Sequence, residues 1–185
     1  MVIVLDTSLS LNGSRIGSLY AGTLEIMEFL EDYCERSGRF VNGDILLMGT
    51  GDDGDGCEWL CGEMVPVDSL HNQIQGEFVV NGHTVLIQSL LAVEQCICEN
   101  NLNTDEVMMI LITDGEFGFT TKDDVENALA GRLGGCERLV MLVGHAYDED
   151  IVFSVASSRE MVFKNNNYQG IFNVMIDAMN RRRRS

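Results

Sequence analysis

Residues 1–5 (M-V-I-V-L) form an unbroken apolar run with two valines and an isoleucine, the pattern of a strand buried on both faces of a parallel sheet. From residue 16 to 34 the period changes. Leu19, Ile26, Phe29, Leu30 and Tyr33 recur at helical spacing, while Glu25, Glu28, Glu31 and Asp32 take the other side. Residues 44–48 (D-I-L-L-M) read as a second strand, 49–56 as a glycine and aspartate turn, and 63–67 as a third strand. Such a turn predicts a hairpin, so the third strand should run antiparallel to its neighbour, and Pro66 suits an edge.

After a short helical piece at 69–75, Leu86, Leu90, Leu91, Val93 and Ile97 predict a helix over 84–99. The next strand, 107–113 (V-M-M-I-L-I-T), is apolar until its last residue. A helix at 122–133, a strand at 138–143, a helix at 148–157, a short strand at 161–163 and a helix at 168–182 complete the pattern. Strands separated by helices of this length imply an α/β fold: a doubly wound, mostly parallel six-stranded sheet with one antiparallel edge strand and helices on both faces. No internal repeat or linker interrupts residues 1–180, which read as one domain followed by a basic tail at 181–185.

Composition narrows the classes of function. With 185 residues, 45% of them apolar and a single proline, the chain is large enough for an ordinary core and unlike a disordered one. Its longest apolar run is far short of the ~18 residues of a membrane span, and no basic segment precedes the N-terminal apolar stretch, so neither a membrane partner nor export is expected. The six cysteines read as free thiols in a reducing cytoplasm. The net charge is −17, and without the four arginines at 181–184 eight basic residues face 29 acidic ones, a balance of −21. Such a surface repels phosphate backbones, which excludes nucleic acid as a partner and favours cations and basic protein surfaces.

In doubly wound sheets ligands bind beyond the carboxyl ends of strands. The first strand ends in Asp6-Thr7-Ser8-Leu9-Ser10 and the central one in Thr113-Asp114-Gly115, while Asn81-Gly82-His83-Thr84 stands at a helix start, where Thr84 suits an N-cap. Two aspartates and three hydroxyls brought to one sheet edge supply only oxygen, the donor set of a hard cation such as Mg²⁺, Mn²⁺ or Ca²⁺.

On these residues the sequence resembles the von Willebrand factor type A (vWA) domain family and its metal-ion-dependent adhesion site (MIDAS), D-x-S-x-S with a distant Thr and a distant Asp. The elements are Asp6, Ser8 and Ser10 in D-T-S-L-S, Thr84 in G-H-T-V-L-I-Q-S-L, and Asp114 in L-I-T-D-G. The resemblance covers nearly the whole chain. It implies a metal held directly by Ser8, Ser10 and Thr84, with Asp6 and Asp114 acting through bridging waters and one position open to an acidic side chain of a partner. It also implies a binding module rather than an enzyme. Neutral hydroxyl ligands leave the ion more electrophilic toward a carboxylate than a cage of aspartates would. The partner should therefore be a protein presenting an Asp or Glu within a basic surface. Family analogy adds an ATPase or stress-response complex as its setting. Leu9, His83 and Gly115 border the open position as the rim, although inward packing is the favoured fate for Leu9 and Leu11. His83 departs from the family's usual Gly-Gly-Thr, and a plain surface role is the favoured reading for it.

Other candidates are weaker. Residues 52–56 (D-D-G-D-G) fail as an EF-hand loop, because a start at Asp53 puts Cys57 at the fifth ligand position. Cys57 with Cys61, and Cys96 with Cys98, lack zinc-site geometry, and His71 and His145 have no ligand-spaced partner. An alternative enzyme reading makes Asp6 a nucleophile like that of haloacid-dehalogenase-type phosphatases, but the acid expected two residues on is Ser8. A structural scaffold with an unused site is the remaining alternative.

Overall fold

The computed structural model describes residues 1–11, 13–50, 56–74, 82–144, 146–164 and 168–181. Along the chain the elements are β1 (Val2–Asp6), α1 (Ser14–Ser37), β2 (Asn42–Thr50), β3 (Gly56–Trp59), β4 (Val65–Pro66), α2 (Val67–Gln73), α3 (Leu86–Glu99), β5 (Met108–Thr113), α4 (Lys122–Ala128), β6 (Glu137–Leu142), α5 (Glu149–Val155), β7 (Val162–Lys164) and α6 (Tyr168–Arg181). The sheet runs β3-β2-β1-β5-β6-β7, with β4 also pairing β2. All pairs are parallel except those of β3 and β4 with β2.

The wholly apolar first strand lies in the middle, its Val2 opposite Asp44 of β2 and Met109 of β5. Its alternate residues feed two cores, as the pleat requires. Val2 and Val4 pack with Leu90 and Val93 of α3, Val125 of α4 and Val152 of α5. Ile3 and Leu5 pack with Ile26 and Leu30 of α1, Leu70 of α2 and Met175 of α6. Burial of each such side chain contributes about 1.5–3 kcal/mol, so both helical layers are held by the same five-residue strand. The chain leaves β1 toward β2 on one side and returns through β5 on the other. The crevice at this switch lies beyond the carboxyl ends of β1 and β5.

Most element ends shift by one to three residues, and the hairpin and the fourth helix differ from the sequence pattern by more. The hairpin partner of β2 is Gly56–Trp59, with Leu46 opposite Trp59 and Met48 opposite Cys57; of the expected strand at 63–67 only Val65–Pro66 pairs, against Asn42 and Gly43. The sheet therefore has seven strands among the described residues rather than six. Of the turn expected at 49–56, positions 51–55 lie outside the described residues, while Thr50 and Gly56 are already paired. The fourth helix ends at Ala128 rather than 133, and Arg132–Gly135 forms a separate 3-10 turn. Glu94 of α3 causes the break. Its carboxylate accepts the N–H groups of Arg132 at 2.9 Å and Leu133 at 2.6 Å, and a Cβ at Gly131 would stand 2.5 Å from Glu94 Oε1. His145 and the tail at 182–185 lie outside the described residues.

Candidate metal centre

The loop after β1 turns at once into a 3-10 turn, Leu9–Leu11, because its polar groups are captured locally. Thr7 donates both its N–H (2.9 Å) and its hydroxyl (2.7 Å) to the Met48 carbonyl, anchoring the loop to β2. The Ser8 N–H donates to Asp6 Oδ1 at 3.0 Å, and the Ser8 and Ser10 hydroxyl oxygens lie 2.9 Å apart. Leu11 is fully buried in the α1 side of the core, while Leu9 stands half exposed. Inward packing thus holds for Leu11 only. The Leu9 N–H donates to the Gly82 carbonyl at 3.0 Å, which ties this loop to the segment leading into α3.

That tie brings the distant threonine into place. Ser8, Leu9, Ser10, Gly82, His83 and Thr84 line one cleft of about 710 Å³, closed on its other side by Glu116 to Thr120 and by Asp124. His83 is exposed at its edge. Thr84 does not cap α3; Val85 is the cap residue, so the threonine hydroxyl is not committed to the helix start. Phe119 is fully exposed at the same opening, and with Leu9 it gives the cleft an apolar lip that sequence reasoning had not assigned.

Beneath the cleft lie the two aspartates, both fully buried. Asp6 accepts from the Ser8 N–H and, at 2.6 Å, from the Thr113 hydroxyl, and Thr113 in turn accepts the Gly115 N–H at 3.0 Å. Burial pushes the Asp6 carboxyl above the ordinary aspartate range; the bonds from Ser8 and Thr113 oppose this without cancelling it, and the charge of Asp114 adds to it. No cationic side chain among the described residues pairs with Asp6. Asp114 is different. It accepts the Glu116 N–H on Oδ1 at 3.1 Å and Arg15 Nη1 on Oδ2 at 2.9 Å. Gly115, expected at the rim, is instead buried at φ 80°, where a Cβ would meet Tyr147 Cβ at 2.4 Å; only glycine can make this turn.

The five expected residues are therefore gathered, three hydroxyl-bearing ones lining the cleft and two carboxylates below it. Among the described residues no group of three or more His, Cys, Asp or Glu side chains stands together as a metal-holding set, and the six cysteines are free thiols. The donor set fits a hard divalent ion, and the buried, uncompensated Asp6 carboxylate is the feature that such an ion would relieve. Thr113 and Arg15 were missed by sequence reasoning. Thr113 carried a signal, since it sits at the strand end beside Asp114; Arg15 carried none.

No family model matches the sequence, and no curated protein matches it. Solved structures do match in shape. A von Willebrand factor type A protein from Catenulispora acidiphila superposes with a TM-score of 0.69 at 14% identity over 94% of this chain and 40% of its own. The fold is that of a vWA domain. Proximal thread matrix protein 1 of the mussel byssus, solved with a zinc-occupied MIDAS motif, matches at 0.61 and 17% identity over 96% of this chain and 43% of its own. BatB from Bacteroides thetaiotaomicron matches at 0.68 and 11% identity over 100% of this chain and 98% of its own. The chain thus spans less than half the length of the first two proteins. Among the described residues no helix is long and apolar enough to cross a membrane.

Proposed function

We propose that this vWA-fold chain is a protein-interaction module that binds a divalent cation, Mg²⁺ or Mn²⁺ in the first place, and uses it to hold an acidic side chain of a partner protein. The observation that carries the reading is the cleft lined by Ser8, Ser10 and Thr84 in front of a buried Asp6 that no cation among the described residues compensates. The mussel protein, whose MIDAS motif holds zinc, supports divalent-ion binding at such a site in this fold. Bound there, the ion supplies an electrophilic position for one carboxylate oxygen. Ser8, Ser10 and Thr84 would hold it, and Asp6 and Asp114 would orient its waters. The exposed Leu9 and Phe119 add apolar contact around that point, and the charge of −17 over the chain favours a partner whose acidic residue stands among lysines or arginines.

Catalysis at Asp6 is disfavoured by its position. The carboxylate is buried and already accepts from the Ser8 N–H and the Thr113 hydroxyl, and the side chain two residues on is a serine bonded to another serine, not an acid that could move a proton. The test is retention of a partner on immobilised protein with Mg²⁺, repeated with chelator and with Asp114→Ala. Retention that requires the ion and is lost in the variant supports the proposal; retention indifferent to both overturns it. A phosphatase screen should stay at background, and turnover abolished by Asp6→Asn would replace the binding module with an enzyme.

A further inference from the structure

The two aspartates under the cleft differ in what holds them. Asp6 has only neutral donors, whereas Asp114 carries an ion pair with Arg15 from the first turn of α1. The same Arg15 Nη1 lies 3.1 Å from the Ser10 carbonyl oxygen and 3.2 Å from Glu116 Oε1. One guanidinium nitrogen is therefore gripped by the loop that bears two hydroxyls of the proposed metal site and by the loop that bears its outer carboxylate. The contacts of this built-in cation overlap those expected of a bound metal ion. Two positive charges sharing one carboxylate repel, and the guanidinium has a second place to go, because Glu116 is exposed and already within reach.

We propose that Arg15 limits how tightly the site holds its divalent ion by neutralising Asp114, and that Glu116 is the alternative partner Arg15 takes when the ion binds. This rests on the metal-binding reading above. Arg15 is thus a positioning residue, acting on the ion through Asp114. The Arg15 side chain is about a third exposed while Asp114 is buried, so the influence of the pair is moderate and salt-sensitive. The arrangement makes the cation site reversible. An interaction module whose partner contact depends on the ion gains a threshold for the ion's concentration from the same residue.

The experiment is calorimetric titration of the full chain with Mn²⁺ alone, in wild type, Arg15→Gln, Arg15→Lys, Glu116→Gln and the double variant Arg15→Gln/Glu116→Gln. Arg15→Gln should bind roughly tenfold more tightly, the scale on which groups behind a metal's ligands act. Arg15→Lys should stay near wild type, and raising the salt should shrink the gap between wild type and Arg15→Gln. Glu116→Gln should weaken binding several-fold in the wild-type background and far less in the Arg15→Gln background, because the alternative partner matters only when Arg15 is present. Affinity unchanged or weakened in Arg15→Gln, with binding still lost in Thr84→Ala, overturns this proposal and leaves the metal site standing. No binding in any variant overturns both.

Discussion

Two buried polar clusters stand at opposite ends of the same sheet, and they solve the problem of buried charge differently. Where β6 begins, Arg138 donates through Nε and Nη1 to the carbonyls of Val155, Leu133, Gly134 and Cys136, and its N–H donates to Ser157. Glu94 takes the N–H groups at the start of the same turn. A guanidinium on the carbonyl end and a carboxylate on the amide end clamp one 3-10 turn in the sense its dipole favours. Where β1 and β5 end, Asp6 has neutral donors and, among the described residues, no counter-charge. The first cluster is complete in itself and reads as structure. The second is short of one cation and reads as a site.

The sharpest way to break this comparison is at the completed cluster. Arg138→Met takes the guanidinium from four carbonyls, of which Leu133 keeps the Cys136 N–H and Cys136 keeps the Ser157 hydroxyl, and should cost about 3 kcal/mol of stability in urea unfolding, while the folded variant binds Mn²⁺ as wild type does. A large loss of metal affinity in the folded variant would mean that the two ends are coupled. Thr113→Val comes next. It removes the hydroxyl between Asp6 and the Gly115 N–H, with an expected cost of about 2 kcal/mol and a roughly tenfold weaker metal affinity. An effect on stability alone would make Thr113 a core residue only.

The smallest effects are in pH, and their signs are opposite. Desolvation raises the Glu94 carboxyl, but the bonds from Leu133 and Arg132 outweigh it and leave Glu94 below its ordinary value. Its contribution is therefore present above the unfolded value of ~4.3 and is lost as pH falls through the lower folded value. Asp6 is shifted upward by burial, so its contribution is present below ~3.9 and is lost as pH rises through the folded value. Unfolding curves measured across acid pH without metal should show Glu94→Gln flattening the loss on the acid side. Asp6→Asn should flatten the decline above it and stabilise the metal-free protein near neutrality. A destabilised Asp6→Asn would show that the carboxylate is already well satisfied.

How much of this the sequence carried depended on how local the signal was. The runs that became β1, β5 and the Leu139–Leu142 part of β6 are apolar on both faces, which needs no partner to be read, and α1 and α3 repeat their apolar residues over three or more turns. Gly56–Trp59 escaped because an edge strand of Gly, Cys, Glu and Trp shows neither alternation nor an apolar run. The end of α4 is set by Glu94, 38 residues from Arg132, and so has no trace in the helix itself. The gathering of the five candidate residues at one sheet edge was legible because each falls at a strand end or in the segment leading into a helix. Arg15 was not, since its meaning arises only when folding sets it against Asp114, 99 positions away. The apolar lip was half legible, Leu9 by its place in the motif loop and Phe119 not at all.

Mn²⁺ titration of wild type beside Ser10→Ala and Thr84→Ala, with circular dichroism on each, tests the central claim most directly. The hydroxyls line an open cleft outside both cores, so their loss should spare the fold. One ion per chain in wild type, and none in either variant at unchanged circular dichroism, is the predicted result. Binding that persists at wild-type affinity in both variants, or no binding in wild type, would contradict the account.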